Sequence, residues 1–141
     1  GTVLTVEQAQ KAIDAGAGFV VAPGLNPKVV RFCLDNNIPV TPGVATPTDI
    51  ETAMNLGLEI LKFFPAEASG GVKAIKSIAG PFPDVRFCPT GGINLNNIRD
   101  YLALPNVSCC GGSWLVSDEI IEHKNWSAIT DLATQALDHV K

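Results

Sequence analysis

The chain has 141 residues, of which 46% are hydrophobic and 17% charged, a composition typical of one globular domain rather than of a disordered chain. Its formal net charge of −4, without a dense run of lysine and arginine, argues against a nucleic-acid or anionic-membrane surface. No apolar run approaches the roughly 18 residues of a membrane span, and the start GTVLTVEQ lacks the pattern of a signal peptide, so we expect a cytoplasmic protein.

A repeat of strand and helix signals runs along the chain. The segments GFVVAPGLNP, IPVTPGVATP, ILKFFPAEASGG and VRFCPTGGINLN each carry a short apolar run, then a proline, then small residues and a helix start. Strands are predicted near residues 1–4, 18–22, 37–41, 59–64, 84–88 and 107–110. Helix starts are indicated at Thr5, at Asn26-Pro27 and at Thr46-Pro47, and a final helix is predicted from about Trp126 to Val140.

Alternating strands and helices predict a parallel sheet covered by helices, either an open doubly wound sheet or a (β/α)8 barrel. A complete barrel needs eight strands and usually about 200 residues or more, whereas six strands are predicted here. Because the first of them begins at residue 1, we expect that upstream sequence is absent. No linker or shift in composition divides residues 1–141, which we take as a single domain.

Lys62 lies inside the apolar run of EILKFF, where a lysine is unusual. With the two-residue period of a strand, Ile60, Lys62 and Phe64 share one face. If that face is buried, desolvation favours the neutral amine, which forms a Schiff base with a carbonyl substrate. The alternative is a lysine that extends to solvent or pairs with Glu67.

Two glycine pairs follow the last two predicted strands. Gly91-Gly92 follows VRFCPT, and Gly111-Gly112-Ser113 follows VSCC. Small residues let backbone N–H groups approach an anion at a helix N-terminus, and barrels often bind phosphate with the loops after their last two strands. Together with Lys62, these loops indicate a phosphorylated carbonyl substrate.

The four cysteines, Cys33, Cys88, Cys109 and Cys110, have no CxxC spacing and form no cluster with histidine. They suggest neither a zinc site nor a disulfide framework, and we expect reduced thiols.

The stretches LKFFPAEASGGVKAIKSIAGPF, VRFCPTGGINLNNIRDYLALPNV and GGSWLV resemble the 2-keto-3-deoxy-6-phosphogluconate (KDPG) aldolase family, from Gly1 through Val116. These are class I aldolases of the Entner–Doudoroff pathway, which often also act on 4-hydroxy-2-oxoglutarate. The resemblance implies a (β/α)8 TIM barrel, here about six of its eight βα units with the N-terminal strands absent. It also implies a homotrimer that cleaves the phosphorylated keto acid to pyruvate and glyceraldehyde 3-phosphate without a metal or other cofactor, in carbohydrate metabolism.

The resemblance assigns roles to individual residues. It makes Lys62 the Schiff-base lysine, and it places residues around the pyruvyl group and in the phosphate loops. The pocket residues are Thr2, Pro23, Phe64 and Thr90, with the Thr90 hydroxyl directed to the carboxylate, and the phosphate-binding residues are Gly91, Gly92, Gly111, Gly112 and Ser113. Turn formation, packing or local hydrogen bonds are the structural alternatives for these residues.

The expected proton-transfer residue is not in this sequence. The family supplies a glutamate, with an arginine nearby, from a strand that would precede Gly1. Glu67 is the nearest carboxylate to Lys62 along the chain and could act as a substitute base, although an ion pair or a turn contact is the more ordinary role of a loop acid.

Three functions are therefore open from sequence. The chain is part of an active KDPG aldolase, or of the related aldolase that acts on 2-keto-3-deoxy-6-phosphogalactonate, or it is an inactive fragment that only binds phosphorylated ligands.

Overall fold

The computed structural model describes residues 2–141. They form an α/β structure in which short parallel strands alternate with helices. The strands are β1 (Val20–Val21), β2 (Val40–Thr41), β3 (Gly43–Val44), β4 (Ile60–Phe63) and β5 (Arg86–Pro89). The helices are α1 (Val6–Asp14), α2 (Pro27–Asp35), α3 (Pro47–Asn55), α4 (Gly71–Ala79), α5 (Ile98–Leu102), α6 (Asp118–Glu122) and α7 (Trp126–Val140), with a short 3-10 helix at Ser113–Leu115.

The strands pair in the order of the chain. β1 pairs with β2, and β3, β4 and β5 form a second parallel sheet in that order. Pro42, which has no N–H, separates β2 from β3, but its carbonyl still accepts a hydrogen bond of 2.9 Å from the Lys62 N–H. The strands of residues 2–141 therefore show no reversal of order of the kind that defines a doubly wound sheet.

Two predicted strands are wrong as strands. Residues 2–4 of the first form no strand, since the Leu4 N–H donates to the Gln8 side chain rather than to a neighbouring strand, and residue 1 lies outside the described range. The strand predicted at 107–110 is reduced to isolated bridges, which pair Phe87 with Val107 and Thr90 with Gly111. Between those bridges the later segment has one residue more than the earlier one, and this bulge interrupts the regular pairing.

The helix boundaries follow the capping residues that the sequence indicated. The Thr46 side chain accepts from the Asp49 N–H and the Asp49 carboxylate accepts from the Thr46 N–H, which completes a capping box for α3. The side chains of Thr5, Asn26 and Asn125 each accept one hydrogen bond from a backbone N–H in the first turn of α1, α2 and α7, respectively. Among residues 2–141, no helix has both the length and the hydropathy needed to cross a bilayer.

The two faces of the sheet differ in burial. Leu61 and Phe63 of β4 are fully buried in the core against the helices, whereas Ile60 is 55% exposed and Lys62 is half-buried on the opposite face. β5 shows the same alternation, with Phe87 buried and Cys88 half-buried. We call the second face, which carries Lys62, the open face of the sheet.

Candidate functional site

Lys62 lies near the carboxyl end of β4 on the open face. Its Nζ atom lies 4.3 Å from the centroid of the Phe64 ring, a distance typical of a cation–π contact. Burial lowers the pKa of the Lys62 ammonium below its ordinary value. Within residues 2–141 no carboxylate forms an ion pair with Lys62, so the predicted alternative of a Lys62–Glu67 pair is wrong.

Gly43 brings a third strand end close to Lys62. Gly43 is the register partner of Lys62 across β3 and β4. A Cβ atom at Gly43 would lie 2.0 Å from the carbonyl oxygen of Pro23, which follows β1. Glycine is therefore required for Pro23, Gly43 and Lys62 to lie side by side, and the sequence alone gave no signal for this close approach.

On its other side Lys62 faces a group of thiols. Cys88 is the register partner of Lys62 across β4 and β5. Burial, and to a smaller extent a hydrogen bond with Cys109, raises the pKa of the Cys88 thiol to about 12. Burial also raises the pKa of the Cys110 thiol to about 11. Both thiols stay protonated at neutral pH, so burial remains the largest influence on Lys62 and its pKa stays below the ordinary value.

Phe64 and Thr90 complete the surroundings of the lysine. The Phe64 N–H donates to the Val44 carbonyl at 3.1 Å, and the Thr90 N–H donates to the Phe63 carbonyl at 3.0 Å, so both residues extend the strand pairing past Lys62. The Thr90 Oγ1 atom is buried and has no hydrogen-bond partner within residues 2–141. A buried hydroxyl without a partner is costly, which makes it available to a polar ligand.

The two predicted phosphate loops line one pocket. It is a surface pocket of about 500 Å³, to which Gly92 of the first loop and Ser113 of the second contribute. Its lining residues are Gly92, Ile93, Asn94, Ser113, Trp114, Val116, Ser117 and Asp118. Gly91 and Gly92 adopt φ values of 94° and 84°, a region that strongly favours glycine.

Gly111 and Gly112 are required by the side chains beside them. A Cβ atom at Gly111 would lie 2.7 Å from the Thr90 methyl carbon, and one at Gly112 would overlap the ring of Trp114. The Trp114 Nε1 atom is buried and unpartnered within the described part of the chain. Both glycines are therefore fixed by packing, and this also brings Gly111 against Thr90.

Neither glycine pair is followed at once by a long helix. After Gly92 the chain forms a turn, because the Asn97 side chain accepts from the Asn94 N–H at 2.8 Å and donates to the Gly92 carbonyl at 3.0 Å. α5 begins only at Ile98. Ser113 is followed by a single 3-10 turn, so neither loop has a long helix N-terminus behind it.

Glu67 has a partner other than the lysine. Its Oε1 atom accepts a hydrogen bond from the hydroxyl of the buried Tyr101. This hydrogen bond is neither the ion pair nor the turn contact given above as the ordinary role of Glu67, and the sequence alone did not single out Tyr101. Thr2 is exposed, and no hydrogen bond within residues 2–141 joins it to Lys62, so its role in the pocket stays a prediction.

Comparisons with known proteins identify the family of the chain. The family model described as KDPG and KHG aldolase matches residues 1–132. The 2-dehydro-3-deoxy-phosphogluconate aldolase of Haemophilus influenzae is 55% identical over 141 residues, which cover 100% of this chain and 66% of that protein. The chain thus spans slightly less than two thirds of the length of this relative.

Two solved structures are similar to this chain over nearly all of its length. One is KDPG aldolase from Legionella pneumophila with pyruvate captured as a covalent carbinolamine intermediate, with a TM-score of 0.91 and 45% identity over 96% of this chain and 66% of that one. The other is the aldolase of Zymomonas mobilis with 3-phosphoglycerate, with a TM-score of 0.87 and 40% identity over 96% of this chain and 64% of that one. By sequence and by fold, the chain belongs to the KDPG and KHG aldolase family.

Proposed function

We propose that the chain supplies the Schiff-base lysine and the phosphate loops of a class I aldolase. The reaction is the cleavage of KDPG to pyruvate and glyceraldehyde 3-phosphate, with 4-hydroxy-2-oxoglutarate as a second substrate. The observation that carries the proposal is Lys62, a half-buried amine with a lowered pKa and no carboxylate partner in residues 2–141. It is supported by the two glycine loops, which contribute Gly92 and Ser113 to one pocket.

The chemistry begins with the neutral amine. Lys62 Nζ attacks the C2 carbonyl of the keto acid to form a carbinolamine, which loses water to give an iminium ion. Loss of the C4 hydroxyl proton then breaks the C3–C4 bond, the bonding pair moves toward the iminium nitrogen, and the aldehyde departs. Protonation of the resulting enamine carbon and hydrolysis of the iminium release pyruvate and regenerate Lys62.

The remaining groups hold the substrate. In this proposal the Thr90 hydroxyl, which has no partner within residues 2–141, donates to the pyruvyl carboxylate. Pro23 and Phe64 flank the reacting carbons. The backbone of Gly91, Gly92, Gly111 and Gly112, with the Ser113 hydroxyl, binds the phosphate. Glu67 is held by Tyr101 and is not assigned as the proton-transfer residue.

The exposure of the open face supports the proposal that further strands complete the sheet. Parallel sheets are normally covered on both faces, yet Ile60 is 55% exposed on this one. We propose that the chain forms about six units of a (β/α)8 barrel, counting the segments at residues 2–4 and 107–111 with β1 to β5. We also propose that the enzyme is a cytoplasmic homotrimer and that catalysis uses the covalent lysine adduct in place of a cofactor.

Borohydride trapping tests the proposal. The chain is reduced in the presence of pyruvate, and the adduct is located by mass spectrometry of the digested protein. The expected result is a pyruvyl adduct on the Lys62 peptide, lost in Lys62→Met and retained in Lys73→Ala, which removes an exposed lysine of α4. Retention in the Lys62→Met variant would move the role to another lysine.

A folded chain without an adduct that still binds 3-phosphoglycerate would favour the phosphate-binding fragment. Turnover of the two epimeric substrates, gluconate against galactonate, separates the two aldolases.

A further inference from the structure

Glu67 joins the loop after β4 to the loop after β5. The Glu67 N–H donates to the Gly91 carbonyl at 3.1 Å, and the neighbouring Ala66 N–H donates to the Thr90 carbonyl at 2.8 Å. These two hydrogen bonds continue the pairing of β4 with β5 beyond the ends of both strands. The segment that follows Lys62 is thereby fixed to the turn that carries Gly91.

The Glu67 side chain also determines the space available to Gly92. A Cβ atom at Gly92 would lie 2.6 Å from the Glu67 Cγ atom and 2.8 Å from its Cβ atom. The backbone of Gly92 therefore packs directly on the aliphatic part of Glu67. Any movement of the Glu67 side chain therefore changes the packing beneath the Gly91–Gly92 turn.

Tyr101 fixes the carboxylate of Glu67. The Tyr101 side chain is fully buried, and its hydroxyl donates to the Glu67 Oε1 atom. Gly71 adjoins this hydrogen bond, since a Cβ atom there would lie 3.2 Å from the Tyr101 hydroxyl and 3.3 Å from Glu67 Oε1. Burial, then the hydrogen bond and charge of Glu67, raise the pKa of Tyr101, so the hydroxyl remains a donor at neutral pH.

We propose that Tyr101 and Glu67 are positioning residues that hold the Gly91–Gly92 turn in the shape that binds the substrate's phosphate group. The inference rests on the proposed function and deepens its phosphate site. The hydrogen bond from Tyr101 holds the Glu67 carboxylate beside the buried hydroxyl. Without Tyr101, the carboxylate is free to move toward the turn, where it repels an anion and leaves Gly92 without its packing partner.

Four variants test the proposal with 3-phosphoglycerate as the probe, measured by calorimetry, and with pyruvate trapping as a second readout. Tyr101→Phe and Glu67→Ala are expected to raise the Kd for 3-phosphoglycerate about tenfold, the equivalent of about 1.4 kcal/mol. Pyruvate trapping at Lys62 is expected to stay within about twofold of the wild type in both. Glu67→Gln, whose amide oxygen still accepts from Tyr101, is expected to keep the wild-type Kd.

Ile50→Val is the matched control for lost stability. Ile50 is fully buried in α3 and contributes to neither loop, so the variant is destabilised by about 0.5–1.5 kcal/mol with no change in Kd. A Tyr101→Phe chain that binds 3-phosphoglycerate as tightly as the wild type would overturn the proposal. So would loss of pyruvate trapping in Glu67→Gln with affinity retained, because that result assigns Glu67 to proton transfer.

The two proposals can fail separately. A wild-type chain that binds 3-phosphoglycerate without forming a pyruvyl adduct rejects the aldolase function, while the variant affinities still decide the positioning role. A wild-type chain that forms the adduct but does not bind 3-phosphoglycerate rejects the positioning role and leaves the lysine chemistry standing.

Discussion

Gly43→Ala should destabilise the protein strongly, although the change adds a single methyl group. The new Cβ atom would lie 2.0 Å from the Pro23 oxygen and 2.3 Å from its carbonyl carbon, whereas non-bonded carbon contacts are normally about 3.5–4.0 Å. The contact involves backbone on both sides, so no side-chain rotation relieves it. The ends of β1 and β3 must therefore separate by more than about 1 Å.

The magnitude follows from what that separation disrupts. Overpacking of a close contact costs up to about 3 kcal/mol. The adjacent hydrogen bond from the Ala22 N–H to the Thr41 carbonyl, already 3.3 Å long, contributes about 1 kcal/mol more when it is lost. We expect a total loss of about 3–4 kcal/mol, together with slower trapping of pyruvate, since Gly43 is the register partner of Lys62.

Urea unfolding followed by tryptophan fluorescence measures the effect. With a slope of about 2 kcal/mol per M, the midpoint should fall by about 1.5–2 M. Gly18→Ala is the matched control, because a Cβ atom there meets nothing within 4 Å and the change should stabilise the chain by about 0.4–1 kcal/mol through the unfolded state. Equal midpoints for the two variants would refute the argument that Gly43 is fixed by contact.

Three further predictions concern the lysine, its neighbour and a helix cap. The rate of pyruvate trapping should rise with pH, with a midpoint below the ordinary lysine pKa of about 10.4, because burial lowers the pKa of Lys62 and the neutral amine is the nucleophile; a midpoint at or above that value would contradict the desolvated site. Thr90→Val should change the free energy of unfolding by less than about 1 kcal/mol, because its buried hydroxyl has no partner to lose, yet reduce trapping at low pyruvate concentration; a large loss of stability would reveal a missed hydrogen bond. Thr46→Ala should lower stability by about 1 kcal/mol in thermal or urea unfolding through loss of the capping box of α3, with trapping by the folded protein unchanged.

Local chemistry made the helices and the central strands predictable. The N-cap and proline pairs at Asn26-Pro27 and Thr46-Pro47 determine helix starts within a few residues, and the apolar runs around Leu61 and Phe87 determine buried strands. The alternation of faces in β4 was also predictable, because a strand has a strict two-residue period. These features depend only on residues close together in the chain.

Features that depend on distant residues were not predictable from one sequence. The bulge after Val107 depends on its register with β5, and the glycine requirement at Gly43 depends on the carbonyl of Pro23. The hydrogen bond between Tyr101 and Glu67 spans 34 residues of the chain, and nothing near either residue indicates it. Lys62 was the exception, because a charge inside an apolar strand is visible locally.

The order of the strands has a consequence for folding. Each pairing closes a short stretch of chain: Val20 meets Val40, Gly43 meets Lys62 and Ile60 meets Arg86, so the partners are 20, 19 and 26 residues apart. The entropy of closing a loop rises slowly with its length, and contacts between near neighbours in sequence form fastest. Each strand can thus pair with the strand that follows it before the two ends of the chain come together. β3 and β5, which pair with β4 on either side of Lys62, are close to β4 in the sequence. The surroundings of the amine can therefore assemble early and independently of the other strands.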